Sequence, residues 1–217
     1  MYKILFFSLL HFLYYNSIYT KPILIIFKMQ NDRILKNAPY YIHGGLHAID
    51  NINYILNSIS FDDIVTVNDI FLKGNYNLAS THGVKPFSKK NNQTLFPDYA
   101  MYGTYGSELH EELFLKEEPI NFYSSGYYIT YNHSFVDYVH KLNNTFILTG
   151  LEGETDIEHT AKYLTSINKN VVIYLPGIAW ISENNKNSTI EKMIKRNNIV
   201  INDIDDKNKL CKQILHL

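Results

Sequence analysis

The stretch ILTGLEGETDIEHTAKYL, Ile147 to Leu164, decides the fold. An apolar run ends in Thr149-Gly150, an acidic turn follows, and then Ile157, Ala161 and Leu164 recur on one helical face. A strand that breaks sharply into a helix is the kind of elbow on which α/β enzymes place a nucleophile. This elbow holds Glu152, Glu154, Asp156 and Glu158, and neither Ser nor Cys.

The same alternation extends in both directions. PILIIF, Pro22 to Phe27, is a continuous β-branched apolar run, as expected of a strand buried on both faces. After Gly44 and Gly45, the residues Ile49, Ile52, Ile55, Leu56 and Ile59 recur at helical spacing, and DIVTVND, Asp63 to Asp69, supplies a second strand. Residues 70 to 105 are rich in Gly, Ser, Asn and Pro without periodicity, so a long loop is expected, of the kind that usually covers a site. Beyond it come a short strand EPINFY, a helix from Phe135 to Lys141, the strand NTFILTG, and a helix from Asp156 to Ile167. The strand NVVIYLPG, a helix from Thr189 to Lys195, the strand NIVIND and a polar helix from Asp205 complete the chain.

Strands alternating with helices imply βαβ units, so the fold class is α/β: three layers, with a mostly parallel sheet of about six strands in a Rossmann-like arrangement. In such sheets the site lies at the carboxyl ends of the strands. Those ends carry Lys28, Asp69, Ser124 with Ser125, the segment from Thr149 to Asp156, and Pro176 with Gly177.

Composition narrows the function. The 217 residues, 46% apolar, suffice for one domain with a full core. Twenty basic against 21 acidic residues give a net charge of −1, which offers no electrostatic footprint for a nucleic-acid partner. The single Cys211 excludes an intrachain disulfide and a cysteine-built metal site.

The N-terminus MYKILFFSLLHFLYYNSIYT has a short basic start, an apolar stretch from Ile4 to Tyr15 and small polar residues before Lys21. It reads as a secretory signal peptide over residues 1–20, followed by a single domain over residues 21–217. The apolar part falls well short of the ~20 residues that span a bilayer as a helix, so no stable membrane span is expected. In an exported chain the sequons at Asn92, Asn132, Asn143 and Asn187 would be glycosylation candidates.

Several segments together resemble the nicotinamidases of the isochorismatase-like cysteine hydrolase family. ILIIFKMQND is similar to that family's first-strand pattern, which ends in Val-Asp-Met-Gln-Asn-Asp, and HGGLHAIDNINYIL to its Gly-Gly turn and first helix. STHGVKPF and QTLFPDYAMYGTYGSELHEEL resemble the family's long loop, and LTGLEGETDIEHTA its elbow, usually Cys-Gly-Leu-Ala-Thr-Asp-x-Cys-Val-x-x-Thr-Ala. The resemblance runs in order from about Pro22 to Asn202.

The resemblance implies deamidation of nicotinamide by a Cys nucleophile, an Asp base and a supporting Lys, with zinc held by one Asp and three His. Set on this chain, the base falls on Lys28, the Lys on Ser125 and the nucleophile on Asp156. Of the metal ligands only Asp69 is kept, and Phe71, Asn75 and Tyr99 stand where the family has His. The expectation is therefore a degenerate member without bound zinc, with pocket remnants at Lys28, Asp69, Tyr99 and Asp156.

A stabilised carboxylate attacks an amide poorly, and a charged Lys takes up no proton, so Asp156 and Lys28 are poor substitutes for what they replace. His82, His110 and His133 are the remaining candidate bases, each read more simply as a loop or surface histidine, and His82 with Asp98 could contribute new metal ligands. Lys28 is expected to pair with Asp156, Asp69 or both, filling the old pocket with an ion pair.

The leading expectation is a secreted, non-catalytic protein kept for binding a protein or a small molecule, with self-association as seen among relatives. An amide hydrolase with altered catalytic residues is the second reading. A module that holds a small aromatic amide between aromatics such as Phe71, Tyr99 and Tyr131 is the third.

Overall fold

The computed structural model describes residues 20–196 and 198–201. Residues 1–19 of the segment read as signal peptide, the segment read as terminal helix, and the end of the last expected strand lie outside the described residues.

Six strands form one parallel sheet. They are β1 (Ile23–Phe27), β2 (Ile64–Asp69), β5 (Ile120–Ser124), β6 (Phe146–Leu151), β7 (Val171–Ala179) and β8 (Ile199–Ile201). The order across the sheet is β5-β2-β1-β6-β7-β8, and every neighbouring pair runs parallel. The chain builds outward from β1 to β2 and β5, then returns to lay β6, β7 and β8 on the other side. β1 and β6 therefore flank the point where strand order reverses, the usual ligand crevice of open α/β sheets.

All five residues of β1 are fully buried, which is why the run is apolar without alternation. Its odd residues, Ile23, Ile25 and Phe27, pack with Phe135 and Val139 of α3 (His133–Lys141), Ala161 and Leu164 of α4 (Glu158–Ser166), and Met193 of α5 (Glu183–Lys195). Its even residues, Leu24 and Ile26, face Ile49, Ile52, Ile55 and Leu56 of α2 (Gly45–Ser58). Each fully buried side chain of this kind contributes about 1.5–3 kcal/mol, and the alternation produces the three layers.

Two glycines are dictated by close approach and backbone hand. Gly44 caps α2 at φ 86°, and Gly150, at φ 120°, lies so near β1 that a Cβ there would sit 2.4 Å from the Phe27 backbone.

Between β2 and β5 the expected loop is long but ordered by its own small core of Phe71, Leu78, Tyr99 and Ala100. It contains a short hairpin, β3 (Lys89–Lys90) and β4 (Gln93–Thr94), and isolated bridges tie Phe71 to Met101 and Leu78 to Phe96. A helical turn α1 (Asn31–Ile34), unsignalled by periodicity, follows β1. α5 begins six residues before the expected Thr189, because Glu183 to Ser188 are polar and carry no apolar repeat. At the elbow the chain leaves β6 through a single π turn, Gly153–Ile157, before α4 starts.

Candidate functional site

The site grows from two strand ends at the reversal point. Lys28 directly follows β1 and Glu152 directly follows β6, and both hold left-handed backbone, at φ 56° and 64°. Non-glycine residues in that region cost roughly 1–3 kcal/mol and cluster at functional sites.

The residues after Lys28 fasten the long loop over the sheet. Gln30 donates to the carbonyls of Asp69 and Ser107 and accepts from the Asp69 amide, Asn31 donates to the Tyr105 carbonyl, and Asp32 accepts from the Ala100 amide. Gln30, Asn31 and Asp32 of the MQND sequence thus hold the loop. That placement brings Tyr99 over the strand ends.

Lys28 Nζ lies 2.8 Å from Asp156 Oδ2, 2.9 Å from Glu152 Oε2 and 3.2 Å from Asp69 Oδ2. The expected ion pair is present, and it is larger than expected. Arg33, on α1 and 1% exposed, pairs with the other Glu152 oxygen through one terminal nitrogen and with Asp69 through the second. Its guanidinium packs against the rings of Tyr40 and Tyr99, 4.6 and 4.7 Å from their centroids, and the two rings lie side by side 4.9 Å apart. Ser124 Oγ donates to Asp69 Oδ1 at 2.6 Å, and the Tyr99 hydroxyl donates to Asp69 Oδ2 at 3.0 Å. Two cations and three carboxylates therefore share one buried cluster.

Charge in such a place follows its partners. Burial opposes ionisation of Lys28, but Asp156, Asp69 and Glu152 outweigh it and hold the ammonium well above the ordinary lysine range. Burial likewise works against the Glu152 carboxylate, yet Arg33 and Lys28 keep it well below the usual carboxylate range. Asp69 is also held down, by Lys28 and Arg33 against the cost of burial. Asp156 comes last in the competition: burial, only partly countered by Lys28 and reinforced by Glu152, pushes it up to about 8.

Above the cluster opens a cavity of about 360 Å³. Lys28, Arg33, Glu152 and Asp156 form its floor, and aromatic rings from three loops form much of its wall: Tyr40, Phe87, Phe96, Tyr99, Tyr127 and Tyr128. Tyr40 packs on Tyr99, Phe96 and Phe87, with centroids 4.9, 5.7 and 5.9 Å away, and Tyr128 stacks on His159 at 3.8 Å.

Several expected pocket residues take other places. Asp69 is fully buried beneath the floor. Phe71 is buried behind Tyr99, at 5.0 Å between centroids, and Tyr131 is 68% exposed and outside the cavity lining, so of the three expected aromatics only Tyr99 reaches it. Ser125 donates to the Ile70 carbonyl, while its neighbour Ser124 makes the contact with Asp69. None of His82, His110 and His133 lines the cavity. His82 is held by the Tyr76 carbonyl and Lys90, and buried His110 accepts from the Glu112 amide.

Arg33 and Tyr40 were not legible, since neither α1 nor the irregular segment after it carries a sequence signal, and without Arg33 the pairing role of Glu152 was hidden too. One signal was present: a lone Lys28 facing several elbow carboxylates requires a second buried cation.

The resemblance implies zinc, and the donor set does not fit it. Asp69 has both oxygens committed, to Ser124 on one side and to Arg33, Lys28 and Tyr99 on the other. Phe71 offers no donor, Asn75 Oδ1 is taken by the Asn77 amide, and Tyr99 is a hydrogen-bond donor to Asp69. Two cationic side chains already stand against Asp69, the one ligand position that matches the resemblance. Asp98 accepts from Ser80, and among the described residues no group of three or more His, Cys, Asp or Glu is placed to hold a metal ion.

A parallel three-layer sheet with its crevice at the β1/β6 reversal defines a doubly wound α/β protein. More particularly, the chain has the fold of the nicotinamidases and isochorismatase-like hydrolases. The yeast nicotinamidase is 18% identical, with 84% of this chain and 100% of that one covered at a TM-score of 0.72. The Pyrococcus horikoshii pyrazinamidase in complex with zinc is 15% identical, with 84% and 99% covered and a TM-score of 0.68. An isochorismatase-like hydrolase from Alkaliphilus metalliredigens is 16% identical, with 88% and 98% covered and a TM-score of 0.66. No protein-family model matches the sequence, and no curated protein sequence matches it. Among the described residues no helix is long and apolar enough to cross a membrane.

Proposed function

We propose that this protein is a secreted, non-catalytic relative of the nicotinamidases, retained to bind a ligand. The observation that carries the reading is the 2.8 Å contact between Lys28 and Asp156. By the resemblance these residues stand at the base and nucleophile positions, and here Lys28 donates a hydrogen bond to Asp156, so each is engaged by the other instead of by a substrate. The aromatic cavity above them supports binding. Export rests on the signal-like residues 1–20. Three sequons, Asn92, Asn143 and Asn187, are exposed, whereas the Asn132 side chain caps α3 and donates to the Tyr123 carbonyl, which argues against a glycan there.

A second reading, an amide hydrolase with altered residues, is favoured by one fact: Glu152 and Asp156 are neighbouring carboxyls pushed in opposite directions, the pattern of an acid and base pair. Against it, both Glu152 oxygens are occupied, by Arg33 and by Lys28.

The deciding experiment purifies the chain without residues 1–20, measures ammonia release from nicotinamide and assays bound metal. The non-catalytic reading expects neither turnover nor stoichiometric zinc, and either one overturns it. Turnover abolished by Asp156→Asn would establish the second reading. Fusing residues 1–20 to a reporter tests export separately.

A further inference from the structure

The floor of the cavity is short of one positive charge. Lys28 and Arg33 face Asp69, Glu152 and Asp156, all five of them buried. The three ammonium contacts of Lys28 each go to a different carboxylate, and both terminal nitrogens of Arg33 are paired while the residue, packed against Tyr40 and Tyr99, is 1% exposed. An anionic ligand could reach either cation only by displacing a carboxylate and leaving it buried without a partner, which is costly. A cation meets the opposite situation: a surplus carboxylate below, and a wall rich in aromatic side chains, a residue type whose ring faces attract positive charge. In addition, Arg33 Nε is buried with no hydrogen-bond partner, a donor still in need of an acceptor.

We propose that the cavity binds a small organic monocation with an apolar or aromatic body and a carbonyl-type acceptor, of the kind an N-alkylated pyridine carboxamide presents. The inference rests on the binding reading above and adds the charge of the ligand to it. The cation lies against Asp156, the one carboxyl of the three that Arg33 does not contact, with its flat face toward the tyrosines. When the cavity is free, a proton on Asp156 supplies the missing charge, since burial pushes that carboxyl up to about 8. The bound cation takes the proton's place. A cavity of about 360 Å³ accommodates a single substituted ring.

Three probes of one scaffold isolate charge from shape: 1-methylnicotinamide as the cation, nicotinamide as the neutral form and nicotinate as the anion. Calorimetric titration of the full chain should show the cation binding about tenfold or more tightly than nicotinamide, with nicotinate weakest. Asp156→Asn keeps the size of the side chain and should erase the preference. N-methylpyridinium, which lacks the carbonyl, should bind more weakly than 1-methylnicotinamide. Nicotinate binding best, a cation preference that survives Asp156→Asn, or no binding by any probe overturns the proposal. Neutral and cationic probes bound equally also overturn it, while leaving the binding reading standing. Ammonia released in the nicotinamide titration would instead strike at the non-catalytic reading.

Discussion

Lys28 and Glu152 stand at the ends of neighbouring parallel strands, both in left-handed backbone, and meet through a 2.9 Å ion pair. Each strained backbone is held by the contact its side chain makes. Removing the Glu152 side chain therefore separates two effects. Glu152→Ala loses the carboxylate and keeps the strain, whereas Glu152→Gly loses the carboxylate and relieves it. Both variants should be less stable than the parent, with Glu152→Gly the more stable of the two by about 1 kcal/mol. Urea unfolding of the pair checks this, and Glu152→Ala equal to or above Glu152→Gly would refute it.

Lys28 is the hub of the cluster, in contact with Asp69, Glu152 and Asp156. Lys28→Met keeps the length of the side chain and removes its charge. Asp69 and Glu152 then share Arg33 alone and Asp156 loses its cation, and breaking a buried pair in this way costs about 3–5 kcal/mol. The midpoint of denaturant unfolding should fall accordingly. A change within 1 kcal/mol would show that Arg33 compensates without Lys28.

The opposed carboxyls set the response to pH. Asp156 is raised from 3.8 to about 8, so the folded state binds a proton that the unfolded state has released between these values. Stability then falls as pH rises from about 4 to 8, by at most about 1.4 kcal/mol per pH unit. Glu152 and Asp69 are lowered, so their contribution is present above the usual carboxylate range and is lost only in stronger acid. Thermal unfolding between pH 5 and 8 should show the decline, and Asp156→Asn should flatten it. An equal slope in the variant would place the titrating group elsewhere.

The layers were legible because burial on both faces writes itself into sequence. The unbroken Ile23–Phe27 run and the Ile49, Ile52, Ile55 and Leu56 repeat each leave one reading, and both elements lie where expected. Half of the site was legible for a different reason. Lys28, Asp69, Tyr99 and Asp156 stand at positions where a resemblance assigns a role, so their departure from it could be seen. Arg33 and Tyr40 lie on a four-residue helical turn and the irregular segment after it, without periodicity and without an inherited role, so only three-dimensional contact reveals them. Phe71 and Tyr131 were misplaced because Tyr and Phe are abundant here, and a ring in sequence does not say which side of Tyr99 it occupies.

Placing at positions 28 and 156 the Asp and Cys that the resemblance to nicotinamidases implies there should not yield an amidase, for reasons visible in the cluster. Asp156→Cys puts a thiol at the elbow, but Lys28→Asp places a carboxyl within reach of Asp69 and Glu152 and removes the ammonium that held all three acids. Like charges so close force protonation or expansion of the site. Arg33 remains clamped to Asp69 and Glu152, and Ser125 stays tied to the Ile70 carbonyl, so no cation is delivered beside the new thiol to favour its thiolate. The double variant should release no ammonia from nicotinamide above the blank and should unfold at lower denaturant than the parent. Adding zinc should change neither result, since Phe71, Asn75 and Tyr99 are unaltered. Measurable turnover in the double variant would mean that the identities of residues 28 and 156, and not the cluster around Arg33, decide whether this site hydrolyses an amide.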